Sequence, residues 1–314
     1  MKQYIILIML TVIVFIGIDA QIIEEGHVLD GGSIDVLETY VKYDRASVAC
    51  GYDGLYFYDL TDPVNPVLIF NYATNRALDC AHDSAFVYIA DASGGFVILN
   101  YSDTSNIHTA AVMNDSITGA RRITLKNNYA YIADGNNGMH IVDITDGYNP
   151  QHIGHYSISA GSARKVQVNN GSAYIACQTA GVDIIDINDK SNPIFIGNIP
   201  ALYLNDDICL DNNYLYIADS DSGMTIYDVS NPGSPIFINR IVTGNSSLRI
   251  LKLYDYLYIA AFGYLEMIDV SSVFSLSLFD DIQAYYAKGI GLSDDGYIYV
   301  AEGTSGLGIY STSM

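Results

Sequence analysis

A pattern close to Tyr-Ile-Ala-Asp, followed by a glycine turn and an apolar strand, recurs along the 314 residues of this chain at a nearly fixed interval. The clearest copies are Tyr131-Ile-Ala-Asp-Gly-Asn-Asn-Gly-Met-His-Ile-Val-Asp143, Tyr174-Ile-Ala-Cys-Gln-Thr-Ala-Gly-Val-Asp-Ile-Ile-Asp186 and Tyr216-Ile-Ala-Asp-Ser-Asp-Ser-Gly-Met-Thr-Ile-Tyr-Asp228. Weaker copies begin at Ser47, Tyr88, Tyr258 and Tyr299, so the seven starts lie about 42 residues apart on average. A period of this size confines the chain to a propeller or a solenoid.

Each unit reads as four strands. Tyr-Ile-Ala is one. A turn follows with glycine at matching places, Gly54, Gly95, Gly138, Gly181, Gly223 and Gly306, where a tight hairpin needs positive φ. Next comes an apolar strand such as His140 to Ile144, closed by a turn such as Asp189-Lys-Ser-Asn-Pro193, since proline cannot donate to a ladder. An outer strand such as Ile194 to Gly197 and an inner strand such as Lys165 to Val168 complete the period. Four strands per unit favour a propeller over a solenoid. No capped amphipathic helix is visible after residue 20. The expectation is therefore an all-β fold, a seven-bladed β-propeller of four-stranded antiparallel blades in one domain over residues 21–314. The last copy ends after its third strand, and Gly26 to Asp30 reads as the missing outer strand. An N-terminal strand completing the last blade would close the ring and cover an open edge.

The repeats resemble the LVIVD-repeat family of secreted and cell-surface β-propellers. The resemblance rests on Met139-His-Ile-Val-Asp-Ile144, Val182-Asp-Ile-Ile-Asp-Ile187, Met224-Thr-Ile-Tyr-Asp-Val229 and Leu265-Glu-Met-Ile-Asp-Val270, and covers residues 22 to 314. The copies at Phe96 and Leu307 depart from it, with Asn100 and Ser311 in place of Asp. The resemblance implies a fold and an extracellular setting, and no settled activity.

Composition narrows the partners. Net charge is −21 with only 14 Lys and Arg, so phosphate backbones and anionic membranes are repelled, and nucleic acid is not an expected partner. Tyrosine is frequent, with 27 residues, and tryptophan is absent, which argues against propellers whose blades dock through a repeated Trp. Residues 1–20 read as a signal peptide: Lys2 is the basic start, Ile5 to Ile18 the apolar run, and Ala20 a small residue before the cut at Gln21. A retained anchor is the alternative. No other run is long enough to span a bilayer, so a secreted or cell-surface, monomeric protein is expected.

Four cysteines in an exported chain suggest two bridges. Repeat positions favour Cys50–Cys80 and Cys177–Cys209, each stitching neighbouring blades; buried free thiols are the alternative. Seven of the basic residues lie near the start of an inner strand: Arg76, Arg121, Arg122, Arg164, Lys165, Arg249 and Lys288. With Asp91, Asp134, Asp219 and Glu302 at the end of the next strand, they form a candidate ligand-binding funnel at one channel mouth, suited to an anionic or sugar-like ligand. A ring of inter-blade ion pairs that only closes the channel is the alternative.

No cofactor is expected, calcium being the one candidate. Asp134 to Gly138 and Asp219 to Gly223 alternate oxygen side chains but lack the later acidic ligand of a calcium loop, and also read as ordinary turns. No metal site is expected: His152 and His155 differ by an odd number and should face opposite sides of a strand. Sequons stand at Asn100, Asn114, Asn170 and Asn245. No nucleophile elbow or phosphate loop occurs, and the short, similar loops favour a non-catalytic binding or adhesion scaffold for an extracellular protein or glycan. A secreted hydrolase or lyase working in the funnel is the alternative, since Tyr203, Asp206-Asp207 and Ala284 to Lys288 break the repeat mildly. A surface-layer component is a third.

Overall fold

The computed structural model describes residues 21–28, 34–220, 223–243 and 246–312. The expected signal peptide, residues 1–20, lies outside them, as do Asn245, part of the loop at 219–223, and the Leu29–Asp30 end of the expected closing strand.

Among the described residues, twenty-eight strands form seven four-stranded antiparallel sheets. The first, β1 (Ile22–Val28), stands apart from the sheet that follows it in sequence. Blade 1 is β2 (Glu38–Lys42), β3 (Arg45–Ala49), β4 (Leu55–Asp59) and β5 (Val67–Tyr72); blade 2 is β6 (Asp79–His82), β7 (Phe86–Ala90), β8 (Phe96–Asn100) and β9 (His108–Met113). Blade 3 is β10 (Arg122–Lys126), β11 (Tyr129–Ala133), β12 (Met139–Asp143) and β13 (Gln151–Tyr156). Blade 4 is β14 (Lys165–Asn169), β15 (Ser172–Ala176), β16 (Val182–Asp186) and β17 (Ile194–Ile199). Blade 5 is β18 (Asn205–Asp211), β19 (Tyr214–Asp219), β20 (Met224–Asp228) and β21 (Ile236–Ile241); blade 6 is β22 (Ser247–Leu253), β23 (Tyr256–Ala261), β24 (Tyr264–Asp269) and β25 (Ser277–Gln283). Blade 7 supplies β26 (Gly289–Leu292), β27 (Ile298–Ala301) and β28 (Leu307–Thr312), and β1 pairs antiparallel with β28 as its outer strand. The seven-bladed propeller closed by an N-terminal strand is therefore present; that strand begins earlier than the sequence suggested, at Ile22.

Each sheet is sandwiched between two others, so its middle strands bury both faces. Along β11, Ala130 and Ile132 pack toward blade 2, while Tyr131 and Ala133 pack toward blade 4. This is why these strands read as continuous apolar runs rather than alternating ones. Seven apolar clusters fill the seven gaps. The one joining blades 7 and 1 contains Val36, Ala46, Val48, Tyr299, Leu307 and Ile309, so the ring is shut by packing as well as by β1.

The signature aspartate, where a unit has it, ends the third strand. Asp143 Oδ1 accepts the Thr145 amide at 2.9 Å, Asp186 that of Asn188 at 2.8 Å and Asp228 that of Ser230 at 2.8 Å. These are Asx turns, which stop a strand by offering the backbone a local partner. Asn100 does the same for Ser102 at 3.0 Å, so its departure from the pattern keeps the chemistry. Ser311 lies inside β28, whose outer neighbour in the sheet is β1. At the hairpin between β11 and β12, Gly138 has φ +93°, and a Cβ there would sit 2.1 Å from the Tyr156 carbonyl oxygen. Only glycine fits such a site.

Candidate functional site: the channel and its cationic mouth

Seven inner strands surround a channel of about 350 Å³. Cross-strand register places Glu38, Asp79, Arg122, Lys165, Asp207, Arg249 and Gly289 at one level, each opposite an alanine of the next strand. Three acids and three bases share this tier with a glycine. Arg122 Nη1 reaches Asp207 Oδ1 at 2.9 Å, and Arg249 Nε reaches Glu38 Oε2 at 2.7 Å. Both pairs span three blades, skipping the one between. The carboxylates also accept backbone amides of adjoining blades: Asp79 from Ile123 at 2.8 Å, Asp207 from Ile250 at 3.0 Å and Glu38 from Ile290 at 3.2 Å. Gly289 provides the room for Glu38, since a Cβ there would lie 2.6 Å from the Glu38 Cα. Burial pushes all three carboxyls up, Asp79 to about 6, against the opposing pull of Arg122 and Lys165. This tier is inter-blade structure: its carboxylates are spent on Arg122, Arg249 and the backbone amides of adjoining blades.

The inner strands all begin on one face of the ring, here the top face, which also carries the hairpins between second and third strands. There a second cavity of about 290 Å³ is lined by Arg76, Arg121, Arg122, Arg164, Arg249 and Lys288, with Asp206 as its one acid. Arg164 Nε pairs with Asp206 Oδ1 at 2.9 Å, and Lys288 Nζ with Asp35. The symmetry-breaking Asp206-Asp207 dipeptide is thus a counterion source, one carboxylate for the mouth and one for the channel. Arg76 and Arg121 have no carboxylate partner among the described residues.

The acidic members of the expected funnel are elsewhere in function. Asp91 accepts the amides of Asn75 at 2.9 Å and Arg76 at 2.5 Å. Asp134 accepts those of Thr118 at 3.3 Å and Gly119 at 2.5 Å, and Asp219 that of Tyr203 at 3.4 Å. Each fastens the connection entering its own blade. Glu302 instead accepts from the Tyr310 hydroxyl and lies 3.0 Å from His27 Nε2, which secures the closing strand. The structure therefore gathers Arg76, Arg164 and Lys288 with Arg121 at the mouth, puts Arg122 and Arg249 at the boundary of mouth and channel, and uses Asp91, Asp134 and Asp219 as loop anchors and Glu302 to fasten the closing strand.

Two readings of side-chain parity are corrected. His152 and His155 share one side: β13 carries a bulge between the pairs Ile141↔Gly154 and Val142↔His152, and the extra residue restores the phase. His152 Nε2 lies 2.9 Å from His140 Nδ1, and the His155 ring stacks on His140 at 4.5 Å. Among the described residues no group of three or more such donors is arranged to hold a metal ion. The expected disulfides are not made either: Cys50, Cys80, Cys177 and Cys209 are buried free thiols. Cys50 faces blade 7 and Cys80 faces blade 1, with the sheet of blade 1 between them. Cys177 packs toward blade 3 and Cys209 toward blade 6, with two sheets between.

Sequence reasoning singled out part of the rim of this mouth, Tyr203 and the Ala284 to Lys288 segment, as breaks in the repeat, and missed Tyr52 and Phe262. Tyr52, Tyr203, Phe262, Tyr285 and Tyr286 are exposed on top-face loops. Arg76 lies over the Tyr52 ring at 5.2 Å, and Phe262 meets Tyr286 edge-on at 5.5 Å. For Tyr52 and Phe262 the signal was the aromatic content of those loops.

The sequence pattern of the LVIVD repeat matches residues 81–114, 119–157, 160–200, 205–243 and 253–281. No curated protein matches the chain. Among solved structures, a chain of the mitotic checkpoint complex is similar with a TM-score of 0.70 and 12% identity over 92% of this chain and 93% of its own length. The computationally designed Ika8 protein is similar with a TM-score of 0.63 and 8% identity over 91% of this chain and all (100%) of its own. PorZ, a bacterial surface component of the type-IX secretion system of Porphyromonas gingivalis, has a TM-score of 0.65 and 13% identity over 90% of this chain and 38% of its own. At such identities the likeness is one of fold alone.

Proposed function

Because the chain belongs to the LVIVD-repeat family, whose pattern covers more than half of it, we propose that it is an exported, non-catalytic binding scaffold whose partner docks on the top face. The observation that carries this reading is the composition of that face. Six Arg and Lys side chains and one Asp line its cavity in a protein of net charge −21, and exposed aromatics ring it. Arg and Tyr are the residues that dominate binding energy at interfaces. The opposite face instead carries the Asx-turn aspartates Asp59, Asp143, Asp186 and Asp228.

Export follows from the leader-like residues 1–20 and agrees with the extracellular setting of the family. The description of PorZ as a bacterial surface component points the same way, by fold. Among the described residues no helix is long and apolar enough to cross a membrane. The partner is an extracellular protein or glycan. Against hydrolysis in the channel stands the use of Glu38, Asp79 and Asp207 as blade-to-blade acceptors.

A labelled sample of the protein on glycan and protein arrays, with and without calcium, tests the proposal. Binding should survive Tyr43→Ala with Tyr254→Ala on the bottom face and be lost in Tyr203→Ala with Phe262→Ala and Tyr286→Ala. The reverse pattern removes the proposal, and turnover of a bound glycan replaces it with the hydrolase.

A further inference from the structure

The charges at the top mouth do not balance. Of the six cations lining the cavity, Arg122 is paired with Asp207, Arg249 with Glu38, Arg164 with Asp206 and Lys288 with Asp35. Arg76 and Arg121 remain. The Arg121 Nε is fully enclosed, close to where a Cβ on Gly135 would lie (3.0 Å), and has no hydrogen-bond partner. Burial first, and then the positive charges of Arg164 and Arg76, pull the Arg121 pKa down. Arg76 lies over the ring of Tyr52 and has no carboxylate partner among the described residues.

An enclosed guanidinium N–H without an acceptor is costly, and like charges facing one cavity add to that cost. Asp134 and Asp206 offset that pull only in part: Asp206, the one acid lining the cavity, already serves Arg164 and accepts from Gln178 Nε2 at 3.2 Å, and Asp134 accepts from Thr118 and Gly119 and meets His140. A ligand that supplied two negative charges and several acceptor oxygens would satisfy both arginines together. A monovalent ion would leave one cation over.

We infer that this cavity is a binding site for a compact dianionic oxyanion, a phosphate or sulfate group, held by the forks of Arg121 and Arg76 with Arg164 and Lys288 at its edge. Guanidinium forks suit such groups because they offer parallel N–H donors to two oxygens at once. The cavity, about 290 Å³, takes one such group and is open to solvent, so the group can be free or an ester on a larger molecule. The inference rests on the top face being the recognition face, and supplies the chemistry of what that face recognises.

Calorimetric titration of the purified protein at low ionic strength is the test, with sodium sulfate, inorganic phosphate and glucose 6-phosphate as probes and chloride as comparator. The expected result is saturable binding of one sulfate per chain, weakened about tenfold or more in Arg121→Gln and in Arg76→Gln. Arg121→Lys, which keeps the charge but not the fork, should fall between. Arg45→Gln, whose arginine pairs with Asp59 on the bottom face, should bind as the parent does. Phosphate should bind more tightly above its second ionisation than below it, while sulfate stays constant. Tighter binding of the sugar phosphate than of inorganic phosphate identifies an esterified ligand, and the reverse a free ion. No saturable sulfate binding by the parent, or parent-like binding by a folded Arg121→Gln, overturns the site. If array binding then still depends on Tyr203, Phe262 and Tyr286, the docking face stands and only the anion site falls.

Discussion

Arg122 on β10 and Asp207 on β18 meet across the channel at 2.9 Å, with the whole of blade 4 between their strands. Both side chains are buried, and Asp207 also holds the Ile250 amide of blade 6. One carboxylate thus ties three blades to each other. Replacing Arg122 by Met leaves that carboxylate buried and unpaired, and should cost about 3–5 kcal/mol in urea denaturation. Arg164→Met breaks the more exposed pair with Asp206 and should cost about 1 kcal/mol or less. Equal losses would contradict the division between channel and mouth.

His82 gives a second measurable consequence. Burial, only partly offset by the Lys42 carbonyl, pulls its pKa from 6.5 down to about 4. The unfolded chain takes up a proton below pH 6.5 and the folded one only near pH 4, so stability falls as pH drops through that window, by on the order of 3 kcal/mol in full. His82→Gln should flatten this part of the profile and lower stability at pH 7.5, where packing against Phe57 and Tyr40 is lost. An NMR titration placing the His82 midpoint above pH 6 would exclude the effect.

The thiols predict an outcome for labelling. All four are enclosed, and burial raises their pKa, that of Cys177 and Cys209 to about 12. Iodoacetamide should leave the folded protein unmodified. In denaturant without reductant, mass spectrometry should find four carbamidomethyl groups. Two or fewer would restore a bridge.

Closure by β1 should be separable from the rest of the ring. A chain lacking residues 21–28 exposes the edge of β28, which pairs with β1 from Ile22↔Thr312 to Val28↔Leu307. Lower melting temperature and concentration-dependent association are expected. A peptide spanning 21–28, added in trans, should reverse both.

Gly289→Ala tests the space left for Glu38. The new methyl would press on the backbone of β2 at 2.6 Å, so a loss of about 3 kcal/mol or more is expected. Gly197→Ala, with nothing within 4 Å, should be near neutral.

Much of this molecule is legible from its repeats, because a strand buried on both faces by like neighbours announces itself in every copy. Tyr131, Tyr174 and Tyr216 occupy equivalent places as expected. What escaped sequence reasoning is governed by parity and by partners outside the repeat. Cys80 follows the charged tier by one residue and Cys209 by two, and a one-residue difference reverses the face. The bulge in β13 did the same for the histidines. The sequence could cluster the basic residues near the inner strands, but the choice of Asp207 for Arg122 and Glu38 for Arg249 spans alternate blades, a relationship that no alignment of neighbouring copies expresses.

The outermost ladder of blade 7 joins the first strand, β1, to the last, β28. A chain released from its amino end, whether by a ribosome or through a secretion pore, carries β1 outside long before β28 emerges to receive it. Six sheets can assemble during that wait, while the seventh has at most β26 and β27 and a bare flank. Completion of the circle is therefore tied to delivery of the final residues, and interrupted synthesis or stalled translocation should yield an adhesive, unfinished arc.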